Sequence, residues 1–172
     1  MKNNILYILL VVILFFIIYI LYKVTSNEKL IYKVPNIEKV TYSGKPFNLY
    51  KTNSQFILIV FLNDNCIPCL GEYKYSNKLA EEYSDNELKV IGILYTHNSG
   101  TKLKENIDNF TFPVIVDKNG KIFKQYGIVK GEEKKILINS NNKNIIFIDD
   151  IYKSPGIQHV LYKVIKKIVD LS

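Results

Sequence analysis

Cys66 and Cys69 are the only cysteines in the 172-residue chain, and they stand together as Cys66-Ile67-Pro68-Cys69. Two thiols at that spacing can exchange disulfides. A thiolate on the first attacks a substrate disulfide, and the second attacks the mixed disulfide so formed and releases the substrate as a dithiol. The residues before them, Gln55-Phe56-Ile57-Leu58-Ile59-Val60-Phe61-Leu62, are a continuous apolar run too short to span a membrane, the signature of a strand buried on both faces. The residues after them, Ile67 to about Tyr83, mix apolar and charged types at helical spacing, with Leu70, Tyr73, Leu79, Ala80 and Tyr83 available for a buried stripe. Cys66 is therefore expected at a helix N-terminus, where unpaired N–H groups and the helix dipole favour the thiolate. That makes Cys66 the candidate nucleophile and Cys69 the resolving thiol. Pro68 suits a first helical turn, where its missing N–H would be unpaired anyway, and Asp64 and Asn65 can cap the helix.

Other uses of the pair are weaker. A structural zinc site needs two more ligands, and the two histidines, His97 and His159, stand at spacings that match no zinc pattern, so no metal is expected. Two cysteines buried simply as small apolar residues are the bland alternative. His97 and His159 are assigned no role, and no cofactor is expected. The formal net charge is +7, carried by 23 lysines with no arginine and spread along the chain. Nucleic-acid readout leans on the bidentate, stacking guanidinium, so its absence argues against a nucleic-acid partner. Hydrophobic residues make up 48% and charged residues 23%, an ordinary globular mixture that excludes a disordered or low-complexity chain.

The remaining elements follow from pattern. Ile37–Tyr42 and Pro46–Lys51 read as short strands around Ser43-Gly44. Leu88–Tyr95 repeats the buried-strand pattern, and Thr101–Phe110 can form a helix with Thr101 as N-cap. Phe112–Asp117 reads as a strand closed by the turn Asp117-Lys118-Asn119-Gly120, and Lys121–Tyr126 as a short helix ended by Gly127. Lys135–Asn139 and Asn144–Asp149 form a hairpin. Ile157–Leu171 closes the chain as an amphipathic helix through Val160, Leu161, Val164, Ile165 and Ile168. Early strand–helix alternation and a late hairpin imply an α/β domain whose mixed sheet is covered by helices on both faces.

Ahead of this domain, Ile5–Tyr22 contains eighteen residues without a charge, Pro or Gly. As a helix it would cover about 27 Å, enough to cross a hydrocarbon core. A cleavable signal peptide is the competitor, but its apolar region is shorter and ends at small residues, whereas this one runs into Ile20, Leu21 and Tyr22. The expected organisation is a transmembrane anchor with a short tail over 1–23, a linker over 24–35 and a folded domain over 36–172. Lys23, Lys29, Lys33 and Lys39 after the span conflict with an outward-facing domain, although long folded domains translocate despite flanking charge.

From about Gly44 onward the chain resembles the membrane-anchored thioredoxin-like thiol-disulfide oxidoreductases of the TlpA/ResA type, within the AhpC/TSA-redoxin superfamily. The features that carry the resemblance are the GKPFNLY opening, a buried strand running into CIPC, a Glu at Cys-x-x-Cys-x-x-Glu, the stretch FPVIVDKNGKIFKQYGI, and the KKILINSNNKNI hairpin with its helix. The resemblance implies a thioredoxin-like fold behind an N-terminal transmembrane helix. It puts the nucleophile on Cys66, the resolving thiol on Cys69 and the active-site acid on Glu72, with Ile67, Pro68 and Glu133 in the substrate-binding loops. Glu72 makes independent sense as a relay for the proton that leaves or joins Cys69.

The implied activity is reduction of disulfides in extracytoplasmic proteins from the bacterial cytoplasmic membrane. Its partners would be protein dithiols or disulfides, a membrane or extracytoplasmic thiol as electron donor, and the bilayer through residues 5–22. Two departures from the family are visible. Asn65 replaces the Trp usual before the first Cys, and Glu133 stands where the family places a cis-proline. A cis bond before a non-proline residue costs about 2.5–4 kcal/mol, so a trans loop with an altered substrate-binding backbone is expected there. A carboxylate near Cys66 would also disfavour its thiolate. A binding or assembly module with idle cysteines, and a peroxiredoxin-like thiol peroxidase, are the competing functions. The peroxidase is disfavoured because Asn63-Asp64-Asn65 lacks the hydroxyl residue that family places three before its reactive Cys.

Overall fold

The computed structural model describes residues 33–63, 73–129, 132–150 and 158–171. The expected span at Ile5–Tyr22 and the Cys66–Cys69 motif lie outside these residues. Among the described residues no helix is long and apolar enough to cross a membrane.

The strand Phe56–Asn63 (β3) organises the domain. Its side chains alternate between two cores, Phe56, Leu58, Val60 and Leu62 on one face and Ile57, Ile59 and Phe61 on the other. Every one of these seven is buried, as the unbroken apolar run requires of a strand covered twice. Two short strands precede it, Glu38–Val40 (β1) and Pro46–Asn48 (β2), paired antiparallel as a separate ribbon. Leu88–Tyr95 (β4) pairs parallel with β3, and Val114–Val116 (β5) pairs parallel with β4. Lys134–Asn139 (β6) and Asn144–Asp150 (β7) form the expected hairpin, with β6 antiparallel to β3. The resulting five-stranded order is β5-β4-β3-β6-β7.

Four α-helices are described: Tyr73–Glu82 (α1), Gly100–Ile107 (α2), Lys121–Gln125 (α3) and Gln158–Asp170 (α4). Tyr73 and Leu79 of α1, Leu103 of α2 and Tyr162, Ile165 and Val169 of α4 cover the Leu58/Val60 face. The opposite face is covered by Ile122 and Phe123 of α3 with Val34, Ile37, Phe47 and Leu49. The mixed sheet with helices on both sides is thus the expected α/β architecture.

Local differences from the sequence reading have local causes. The compact unit runs from Lys33, and Val34 is only 1% exposed. The second strand stops at Asn48 because the Asn48 side chain accepts from Tyr50 N (3.0 Å) and Lys51 N (3.2 Å) and caps a 3-10 turn over Leu49–Lys51. The helix expected from Thr101 starts at Gly100 with Ser99 ahead of it, so Thr101 is not its N-cap. Asp117 closes β5 and also caps α3, its buried carboxylate accepting from Lys121 N (2.9 Å), Ile122 N (2.8 Å) and Phe123 N (3.1 Å). In the last helix Val164 is 38% exposed. Tyr162, Ile165 and Val169 are buried with Ile168 packed against the same core, and the Tyr162 hydroxyl reaches both Glu82 oxygens, at 2.7 and 2.6 Å.

Candidate active site at the carboxyl end of the central strand

The three parallel strands β3, β4 and β5 end on the same side of the sheet, with Asn63 opposite Tyr95 and Leu94 opposite Val116. Because β6 runs antiparallel to β3, its start comes to that same end, with Lys134 opposite Phe61. The carboxyl edge of parallel strands is where open α/β sheets bind and react with ligands. Asn63 is the last described residue before the dithiol segment and Tyr73 the first after it, so the segment leaves and rejoins the described fold here.

Glu133 joins these two points. It immediately precedes β6, is 0% exposed, and its Oε1 accepts from the Asn63 backbone N–H (3.2 Å) and the Tyr73 hydroxyl (2.6 Å). The Tyr73 ring is 4% exposed and meets Phe110 edge-on, with centroids 5.0 Å apart, which fixes the direction of its hydroxyl. Lys135 is only 1% exposed and stands opposite Val60. With a strand period of two, Glu133, Lys135 and Leu137 share the face packed by α1 and α4. Among the described residues every peptide bond is trans, the bond before Glu133 included.

Of the site residues expected from sequence, Glu133 is therefore placed at the two anchors of the dithiol segment, with its side chain turned into the core. Cys66, Ile67, Pro68, Cys69 and Glu72 lie outside the described residues. At the same end of the sheet the Tyr95 hydroxyl and His97 Nε2 are 2.9 Å apart, and the Tyr95 ring lies 5.8 Å from that of Phe123. Among the described residues no group of three or more His, Cys, Asp or Glu could hold a metal ion.

Sequence reasoning counted Tyr73 only as part of a buried stripe and passed over Lys135. Both carried a signal. A buried Tyr needs a partner for its hydroxyl, and Lys135 alternates with Leu137 on an inner strand.

Residues 31–151 match the AhpC/TSA family, and the chain belongs to it. It is similar to the thiol-disulfide oxidoreductase ResA of Bacillus thuringiensis subsp. konkukian, 27% identical over 99 residues that make up 56% of this chain and 57% of the relative. The chain thus spans about half the length of the curated relatives it matches. Among solved structures, the thioredoxin domain of a thiol-disulfide oxidoreductase from Bacteroides vulgatus superposes with a TM-score of 0.65 at 19% identity, covering 81% of this chain and 96% of that one. Peroxidoxin BcpB from Mycobacterium tuberculosis superposes with a TM-score of 0.63 at 16% identity, covering 80% and 95%. At such identities these likenesses establish the thioredoxin-like fold, and that fold is common to both chemistries.

Proposed function

We propose that the chain is a membrane-anchored thiol-disulfide oxidoreductase that reduces disulfides of extracytoplasmic proteins through Cys66 and Cys69. The observation that carries the reading is the position of the chain's only two cysteines. They fall inside the family match, between the end of β3 and the described start of α1.

In the proposed cycle the Cys66 thiolate attacks one sulfur of a substrate disulfide, forming a mixed disulfide and expelling the other sulfur as a thiolate. Cys69, losing its proton, then attacks the Cys66 sulfur. The internal Cys66–Cys69 bond forms, the mixed disulfide breaks, and the second substrate thiolate leaves. Two electrons pass from the chain to the substrate, and the two protons end on the substrate thiols. Glu72 takes the Cys69 proton, and Ile67 and Pro68 shape the surface that meets substrate. Glu133 is fully buried, so its part in substrate binding is indirect, through the loop that precedes β6. A thiol donor at the membrane resets the pair, and Ile5–Tyr22 holds the chain in the bilayer.

The test uses the full-length chain and a peptide with one disulfide. One equivalent of reduced chain yields one equivalent of dithiol peptide and one internal disulfide. Cys69→Ser stalls as a mixed disulfide that dithiothreitol releases, and Cys66→Ser forms none. Absence of the Cys69→Ser adduct would refute the exchange. Consumption of hydrogen peroxide by the reduced chain would point instead to the peroxidase chemistry of the BcpB-like neighbour. A binding module is the second reading, favoured by an acidic residue at the loop where relatives place proline. In that case Cys66→Ser leaves the chain's cellular role intact.

A further inference from the structure

We propose that Lys143 is the cation of a small oxyanion site, which takes a phosphate or carboxylate group in the cleft between the start of β3 and the β6–β7 turn. The site is independent of the exchange chemistry proposed above. Phe56 pairs with Asn139 at the end of the sheet away from Asn63, and every residue the site uses is described.

The turn between β6 and β7 holds the lysine in an unusual conformation. With φ at 61°, Lys143 is the one non-glycine residue among those described whose backbone is left-handed. Asn adopts that conformation more readily than Lys, and Asn141 and Asn142 stand beside it, so a lysine here runs against the local preference. Such an outlier points to a use for the side chain. Both backbone groups are engaged: the N–H donates to the Asn139 carbonyl (2.9 Å), and the carbonyl accepts from the Val34 N–H (3.1 Å). The direction in which the side chain leaves the backbone is thereby fixed.

The ammonium has neutral neighbours. Its Nζ donates to Ser140 Oγ (3.2 Å) and lies 5.9 Å from the centroid of the Tyr50 ring. Ser140 is 3% exposed and gives its own hydroxyl proton to the Thr52 carbonyl (3.1 Å), which turns an Oγ lone pair toward Lys143. One hydroxyl leaves two of the three ammonium donors for another acceptor. Lys143 is half-buried, and among the described residues burial alone displaces it, pushing its pKa below the ordinary 10.5 with no charged group contributing. A partly desolvated cation without a counter-charge is stabilised by an incoming anion.

The cleft suits such a ligand. It encloses about 620 Å³, and Asn53, Gln55 and Asn141 line it with carboxamides beside Lys143 and Ser140. No Asp or Glu is among its lining residues, so an anion meets donors and no opposing carboxylate. Phosphate and carboxylate groups share the chemistry that the site reads, a negative charge spread over oxygens that accept several hydrogen bonds.

The experiment titrates the full-length chain, in non-ionic detergent, with inorganic phosphate and separately with acetate, at constant pH and ionic strength balanced by chloride. Binding is read by calorimetry. In parallel, the rate of trace acetylation of each lysine by acetic anhydride is read by mass spectrometry, with the other lysines as the internal reference. The expected result is saturable binding of at least one probe with a Kd of about 1 mM, and selective protection of Lys143 that reaches about tenfold at about 10 mM. Binding of phosphate alone assigns the site to phosphoryl groups, and binding of acetate assigns it to carboxylates. Lys143→Asn, which suits the left-handed backbone, and Lys143→Met, which keeps the apolar stem, are each expected to weaken binding about tenfold or more. Binding by neither probe, or protection spread evenly over the lysines, would overturn the site. Affinity within twofold of wild type in either variant would overturn the role of Lys143. The protection measurement needs no variant, and none of these readouts involves the cysteines, so this inference and the exchange reading fail separately.

Discussion

A carboxyl group with no solvent exposure persists in a core only when its oxygens are engaged, because the desolvation it suffers is otherwise uncompensated. At Glu133 the engagement is at Oε1, which accepts from Asn63 and Tyr73, and the Tyr73 hydroxyl is the more exposed of the two bonds to mutation. Hydrogen bonds to charged groups contribute about 1.5–3 kcal/mol, so Tyr73→Phe should lower stability by about that amount. Urea unfolding would show it as a lower midpoint at constant slope, and an unchanged midpoint would mean that the bond contributes nothing net. Asp117 does comparable work on the other face, where one buried carboxylate serves three N–H groups of α3. Asp117→Ala should cost about 2 kcal/mol, at the upper end for a lost cap, and the same unfolding measurement checks it.

Between elements, the α1–α4 contact depends on pH. The Tyr162 hydroxyl holds the Glu82 carboxyl below its ordinary value of 4.5, with Lys166 and Lys78 assisting from 3.6 Å. A carboxylate whose folded value is depressed contributes stability that is fully present above the ordinary range and is lost as pH falls through the folded value. Glu82→Gln should therefore melt below wild type at pH 7, and the gap should close below about pH 4. A gap that persists unchanged into acid would show that charge at Glu82 is not its source.

The elements themselves were legible in sequence wherever one rule decided them. The unbroken apolar runs announced β3 and β4 as doubly covered strands, and Asn139–Asn144 announced a hairpin. What stayed hidden depended on distant neighbours. Gly92 sits mid-strand because a Cβ there would meet Leu62 and Phe112 at 3.0 Å, and neither approach is visible in the local pattern. In α4 the expected Ile165 and Ile168 pack into the core, whereas Val164 is 38% exposed and Tyr162, which the apolar stripe did not mark, is buried with its hydroxyl on Glu82. In the site, residue types pointed to Cys66 and Cys69 as reactants. The inward turn of Glu133 onto Asn63 and Tyr73 depends on partners 70 and 60 residues away.

At the scale of the whole chain, the proposed reading divides labour between the thioredoxin-like unit, which carries the chemistry, and the apolar segment ahead of it, which would fix the location. Full-length chain should stay with bacterial membranes through alkaline carbonate extraction, and a chain lacking residues 1–23 should be released. Release of the full-length chain would remove the anchor from the proposal without touching the chemistry. That chemistry is reached most directly by equilibrating the full-length chain across defined thiol/disulfide buffers and weighing alkylated Cys66 and Cys69. A reversible two-electron transition at or below about −230 mV is the expected result and marks a reductant, whereas a value near −120 mV would mark an oxidant. Failure to form a reversible Cys66–Cys69 disulfide at any poise would contradict the oxidoreductase outright.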